Sequence, residues 1–284
     1  MSDHPGEIRV YEPDQAIKKG YLSMLGEIFQ ELSANRWLIY QLFLRDFSSV
    51  YKQSLFGFIW PILIPILSVG TFMIMNRSGV LDIGTMDLPY PLFAILGLSV
   101  WQIFARGITA GANSLVKAGP MITRINFSRK CLVIAAFGQV LIFFCIEFLL
   151  CLVLFVAYGL TPTPYIILFP VLVLPMLWLT VGLGLILAVI NGIIRDIAHI
   201  LTVGVTFLMF LTPILYQKPG TGLLARLTEY NPFYYLTAFP RDLILQGKGL
   251  LWAGYTIVGC LSLVFFLFCL VVFHLTESRV AERI

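Results

Sequence analysis

LVIAAFGQVLIFFCIEFLLCLVLFVAY, residues 132–158, runs apolar for 27 residues with hardly a break. It carries a single ionisable acid, Glu147, and no base. As a helix it is long enough to cross about 30 Å of hydrocarbon at roughly 1.5 Å per residue. A spanning strand would be shorter and would alternate polar with apolar residues, which this stretch does not. Outward from it lie five further apolar runs, at about 57–75, 89–112, 165–190, 200–216 and 250–273. The second has a soft boundary, because Trp101, Gln102 and Arg106 interrupt it. The expected fold is an all-α integral membrane protein with six transmembrane helices.

Composition leads to the same place. Of 284 residues, 59% are hydrophobic and only 12% charged, about half the charged share of a soluble domain. A very apolar soluble protein is the alternative, and its surface would have to include several runs long enough to cross a bilayer. The first fifteen residues contain no apolar core and no cleavage site, so no cleaved signal peptide is expected. A net charge of +4 comes without basic clusters interleaved with aromatics, which excludes the usual nucleic-acid modules. Cys131, Cys145, Cys151, Cys260 and Cys269 fall mostly inside apolar runs. They read as small buried hydrophobes and not as zinc ligands or a disulfide framework.

Charge sets the expected topology. With both termini in the cytoplasm, only Arg77, Lys218, Arg226, Arg241 and Lys248 of the 19 basic residues fall outside. The loop between spans two and three has basic residues and no acid, the strongest single vote for N-in, C-in. Two stretches look amphipathic without spanning. In 21–35, Leu22, Leu25, Ile28, Phe29 and Leu32 fall at helical spacing, with Glu27 and Glu31 elsewhere. In 36–53, Trp37, Tyr40, Phe43 or Leu44 and Phe47 share one side. A cytoplasmic interfacial helix leading into span one explains this, with a small soluble helical hairpin as the alternative. The external stretch 217–249 has apolar runs too short to cross, broken by Pro232 and Pro240. Two short re-entrant helices flanking Asn231-Pro232 are expected there, against a flat surface loop.

The polar inventory is thin. No phosphate-binding loop is present, since nothing around Lys117 supplies the glycines or the Ser/Thr that cradle phosphates. His4, His199 and His274 are scattered, and no metal site or catalytic pair is visible. Glu147 reads either as a residue lining or gating a path, or as an interhelical hydrogen bond that fixes packing. Arg106 reads as a basic lip where span two leaves the membrane, followed by the small residues Gly107, Ala110, Gly111 and Ala112. Arg195-Asp196 ends span four on the cytoplasmic side. Aromatics crowd both ends of the spans. They suit the two membrane interfaces, and they also suit sugar rings that must slide past without being trapped.

Three blocks resemble the polyol, polysaccharide and teichoic acid ABC-2 type permeases, a family that includes O-antigen exporters. The first is RDFSSVYKQSLFGFIWPILIP, with Arg45, Asp46, Tyr51, Lys52, Ser54, Gly57, Trp60 and Pro65 on the family pattern. NGIIRDIAHI followed by LTPILY gives Asn191, Arg195, Asp196, Thr212, Pro213 and Tyr216, and NPFYYLTAFPRDLILQG gives Asn231, Pro232, Arg241, Asp242 and Gly247. The resemblance implies a homodimer paired with two cytoplasmic ATPase subunits that bind ATP and Mg. This chain would then be no enzyme and would hold no cofactor of its own. The implied cargo is an undecaprenyl-diphosphate-linked polysaccharide, exported across a bacterial inner membrane. The implied organisation is a cytoplasmic segment at 1–56, a six-helix domain at 57–274 and a cytoplasmic tail at 275–284.

Within that frame, Arg45, Lys52, Arg124 and Arg129 are the expected contacts for the lipid diphosphate at its entrance, where low dielectric strengthens attraction to phosphate. Tyr51, Phe56, Trp60, Tyr216, Tyr230 and Phe233 are the expected lining of a glycan channel. The loop 113–130 and the turn 191–199 are implied to meet the ATPase, with Asn113, Lys117, Arg195 and Asp196 as coupling residues. The loop departs from the family pattern at Gly119-Pro120 and Phe127-Ser128. The competing readings are an exporter of a drug or small amphiphile with the same architecture, and a membrane enzyme acting on prenyl phosphate.

Overall fold

The computed structural model describes residues 21–51, 57–78, 88–122, 127–194 and 196–280. Among them every regular element is helical. Helix α1 (Tyr21–Ala34) and helix α2 (Arg36–Tyr51) form the amphipathic pair. They join at Asn35, whose Nδ2 donates to the Glu31 carbonyl at 2.8 Å. On α1, Met24 and Ile28 are buried, while Phe29 points outward. On α2, the rings of Trp37, Tyr40, Phe43 and Phe47 follow one another with centroids 5.7, 6.5 and 5.6 Å apart. That ladder is what aromatic residues at three- and four-residue spacing produce on a helix. Its outer rings, Trp37 and Tyr40, are exposed. Phe43 instead sits on Gly138, where an added Cβ would lie 2.6 Å from the ring.

Helix α3 (Trp60–Arg77) follows a 3-10 turn and contains Pro65. Helices α4 (Tyr90–Lys117) and α5 (Lys130–Ala157) come next. A 3-10 turn at Pro164–Leu168 and a short turn at Phe169–Leu172 lead into α6 (Leu174–Ile193). Helix α7 (Ile197–Leu211) follows almost at once. After it come two short helices, α8 (Leu223–Tyr230) and α9 (Pro232–Gln246), and finally α10 (Trp252–Val280).

Helix α4 is the axis of the bundle, packed between α5 and α6, and α6 in turn packs on α10. In its most apolar stretch 78% of α4 is buried, against 28% for α5, so α5 keeps a broad face for lipid. Close approach of α4 and α6 depends on two glycines. A Cβ on Gly111 would stand 2.9 Å from the Gly184 Cα, and the Phe137 ring of α5 fills the space beside them. Small residues at such a crossing let backbones touch where lipid offers no hydrophobic drive between helices.

Among the described residues, four helices are long and apolar enough to cross a membrane: Tyr90–Lys117, Lys130–Ala157, Pro164–Ile193 and Trp252–Glu277. The runs at 57–75 and 200–216 fold as the shorter apolar helices α3 and α7. Helix α7 stops at Leu211, and 212–216 leaves the helix because Pro213 has no N–H to continue it. Span two is corrected at its far end. The helix runs on to Lys117, so Arg106 lies mid-helix and does not mark the helix end. Hydropathy falls at Gln102 and Arg106, yet backbone hydrogen bonding does not. The sixth run likewise continues as helix to Val280 and takes in part of the expected tail. Two short helices flank Asn231-Pro232 where they were expected.

Candidate functional site

Polar side chains gather at three levels of the bundle. At one end, Lys130 opens α5 and is 1% exposed. Its Nζ donates to Glu277 Oε2 at 2.7 Å, to Glu31 Oε2 at 2.8 Å and to His274 Nδ1 at 2.8 Å. Glu277 also accepts from Ser128 Oγ at 3.1 Å and from the Arg129 backbone N–H. Arg129 Nη1 donates to the Glu277 carbonyl at 2.7 Å. This knot ties α1 to the start of α5 and the end of α10. Burial pushes the Glu31 carboxyl up, but its hydrogen bond and charge contact with Lys130 outweigh that and hold it below the ordinary 4.5.

At the opposite end of α4, the turn 212–216 is clamped from three sides. Tyr90 Oη donates to the Leu215 carbonyl at 3.0 Å. Arg241 Nη1 donates to the Pro213 and Ile214 carbonyls at 3.2 and 3.3 Å, and its guanidinium lies 3.8 Å over the Phe93 ring. Asn231 Nδ2 donates to Thr212 Oγ1 at 2.8 Å, while its Oδ1 caps α9 through the Phe233 N–H at 3.0 Å. Gly97 of α4 makes room for this turn, since a Cβ there would meet the Ile214 carbonyl oxygen at 2.7 Å.

Between the two ends, Glu147 is 1% exposed and faces Arg106 of α4, with Nη2 to Oε1 at 3.5 Å. Neither Glu147 oxygen has a hydrogen-bond partner. Arg106 Nε donates to Gln102 Oε1 at 3.2 Å, and the guanidinium lies 4.1 Å over the Phe143 ring. Sequence reading left Glu147 without a partner, and the structure supplies one from a neighbouring helix.

The residues expected to receive a lipid diphosphate do not form one open cluster. Arg45 pairs with Asp46 at 2.7 Å and reaches the Met121 sulfur at 3.4 Å, remaining 45% exposed. Arg129 is taken up by the Lys130 knot. Lys52 and Arg124 lie outside the described residues. Of the expected channel aromatics, Phe56 and the Tyr51 side chain also lie outside them. Trp60 and Tyr230 are exposed, and Tyr216 Oη donates to the Phe210 carbonyl at 2.7 Å. Phe233 goes inward, with its ring 4.4 Å from Phe104 and 5.9 Å from Trp101. It therefore packs the interior of the subunit.

Among the coupling residues, Asn113 accepts from Asn191 Nδ2 at 3.1 Å, which also donates to the Ala112 carbonyl at 3.0 Å. This joins the ends of α4 and α6. Lys117 is exposed in the last turn of α4, and Asp196 is exposed just before α7. Arg195 lies outside the described residues. Sequence reasoning missed the roles of Lys130, Tyr90, Gln102 and Arg241. For Tyr90 and Gln102 the available signal was a polar group beside a long apolar run, whereas Lys130 and Arg241 stand next to other charges and gave none.

The profile of the ABC-2 type transporter family matches residues 38–245, which contain the α4–α6 crossing, the Arg106–Glu147 pair and the clamped turn. The chain belongs to the ABC-2 type transporter family. Among curated relatives of this ABC-2 permease, it is 32% identical over 190 residues to the O-antigen export system permease protein RfbA of Myxococcus xanthus, covering 66% of this chain and 72% of that one. It is 25% identical over 245 residues to a protein of the same name from Klebsiella pneumoniae, covering 84% and 91%. A second Klebsiella pneumoniae protein of that name is 26% identical over 207 residues, covering 72% and 78%. As a member of this family the chain is an integral membrane permease.

Proposed function

We propose that this permease is the membrane-spanning subunit of an ATP-driven exporter of undecaprenyl-diphosphate-linked polysaccharide, moving it from the cytoplasm to the periplasm or cell exterior. The observation that carries the reading is the ABC-2 match over 38–245 together with the 32% identity to a protein named as an O-antigen export permease. In this reading α3 and α7 complete six spans. Helix α7 has 15 residues, about 22 Å of helix, so the non-helical turn 212–216 must supply the remaining depth. Both termini lie in the cytoplasm, and α8 and α9 dip in from the outer side, with Asn231 capping the start of α9.

Two copies form the path, and two cytoplasmic ATPase subunits holding ATP and Mg drive it. The exposed Lys117 and Asp196, with Arg195, present the coupling face. Arg45, Lys52 and Arg124 meet the lipid diphosphate, and Trp60, Tyr216 and Tyr230 with Tyr51 and Phe56 stack on passing sugar rings. Copurification with a nucleotide-binding subunit, followed by ATPase assays with lipid-linked glycans, tests this. The complex should hydrolyse ATP faster with a glycan substrate, and the permease alone should not hydrolyse it. Turnover by the isolated permease, or a complex indifferent to every lipid-linked glycan but stimulated by a small amphiphile, overturns the reading.

A further inference from the structure

Gln102, Arg106, Thr109, Asn113 and Lys117 follow one another on α4 at steps of four, three, four and four. Those steps place all five on one face of a helix. The first four are half-buried and Lys117 is exposed, whereas Phe104, Ile108, Gly111 and Leu115 on the opposite face are buried. A spanning helix thus carries a row of two carboxamides, a hydroxyl and a guanidinium on its accessible side. Lipid is a poor neighbour for such a row, because unsatisfied polar groups in hydrocarbon are expensive.

Part of this capacity is already used, and Asn113 is bonded on both sides, since its Oδ1 accepts from Asn191 Nδ2 at 3.1 Å. Thr109 Oγ1 donates to the Ala105 carbonyl at 3.1 Å, and Asn113 Nδ2 donates to the Thr109 carbonyl at 2.9 Å. Arg106 spends Nε on Gln102 and keeps the rest of its five donors. Behind it stands Glu147, buried and with both oxygens unpartnered, at 3.5 Å. Glu147 therefore consumes none of the guanidinium N–H groups. What remains toward the accessible side is rich in donors, with a single guanidinium among neutral groups. Phosphate would call for a cluster of cations, so two carboxamides and a hydroxyl around one guanidinium suit the hydroxyls of sugar residues instead.

The geometry points to this face of α4 as a water-lined track for the sugar hydroxyls of the cargo, with Arg106 and Gln102 as its innermost contacts and Lys117 at its mouth. The assignment deepens the export reading and rests on it for the identity of the ligand.

The test uses the complete complex with its ATPase subunit in vesicles, with Cys145 and Cys260 replaced by Ala. Thr109→Cys and, separately, Gln102→Cys are treated with a charged methanethiosulfonate, with Val264→Cys on the apolar face of α10 as the lipid-facing control. Thiolates form in water and not in hydrocarbon, so both track positions should react at least about tenfold faster than the control. Lipid-linked glycan should slow that reaction severalfold, and a prenyl diphosphate without sugar should not. Rates equal to the control overturn the track whatever the cargo. Cross-linking of Thr109→Cys between two copies, without reagent access, overturns it in favour of a face covered by the second subunit. Fast labelling that glycan leaves unchanged overturns the ligand assignment. Loss of the export reading itself shows separately, as absent glycan stimulation in the unmodified complex.

Discussion

The Lys130 knot and the Arg106–Glu147 pair are both buried ionic groups, and they are built in opposite ways. Lys130 has all three donors used, at 2.7–2.8 Å, by partners on two other helices. Glu147 has no hydrogen bond at all, and its cation stands at 3.5 Å. A buried charge is tolerated only when its partners repay the loss of water. The knot meets that condition by short bonds and so fastens helices together. The pair has no such bonds, which leaves donors of Arg106 open to something that passes.

Removing the cation of the knot should have the largest effect. Lys130→Met leaves Glu31 and Glu277 facing one another, and breaking a buried pair in this way costs about 3–5 kcal/mol. A fall in the thermal denaturation midpoint of the detergent-solubilised protein, with α1 becoming open to protease, is the expected outcome. An unchanged midpoint would show that the knot fastens nothing. Arg241→Ala extends the comparison to a second cation with its donors in use. Loss of charge-assisted bonds to Pro213 and Ile214 should cost about 1.5–3 kcal/mol, read from the same melting curves.

Much of this was legible in the sequence, and the exceptions have a common cause. The apolar runs announced themselves through composition, and Asn231-Pro232 marked the break between α8 and α9 because Pro favours the first turn of a helix. The amphipathic spacing of 21–35 likewise gave α1. Arg106 was misplaced because a charge in a hydropathy trace looks like an end. The carboxyl it faces belongs to another helix, and no linear reading brings the two together. Lys130 was counted as one positive charge beside a membrane, which hid its bonds to acids near both ends of the chain. Phe233 was grouped with its aromatic neighbours, although capping by Asn231 starts α9 in a direction that carries the ring inward.

Glu147→Gln sharpens the contrast from the other side. It replaces a carboxyl that has no hydrogen bonds to lose, so stability should change by less than about 1 kcal/mol in either direction, while glycan-stimulated ATPase activity falls as the surroundings of Arg106 change. A destabilisation as large as that of Lys130→Met would make the two sites alike. The smallest effect is expected from acid. Glu31 has its carboxyl held below the ordinary 4.5, so its contribution is complete above that value and fades as pH drops through the folded one. Hydrogen-exchange protection factors in 21–34 should therefore fall modestly on acidification below about pH 4.5, and Glu31→Gln should abolish that fall.

The seat of Ile214 on Gly97 carries a mechanical implication. With the carbonyl pressed where a side chain would otherwise be, and Tyr90 of the same helix gripping the very next residue, the bend after α7 has no slack against α4. Any displacement that widens the bundle there must drag α4 along as a stiff lever. Its far tip, joined to α6 through Asn113 and Asn191, would then swing in the same stroke.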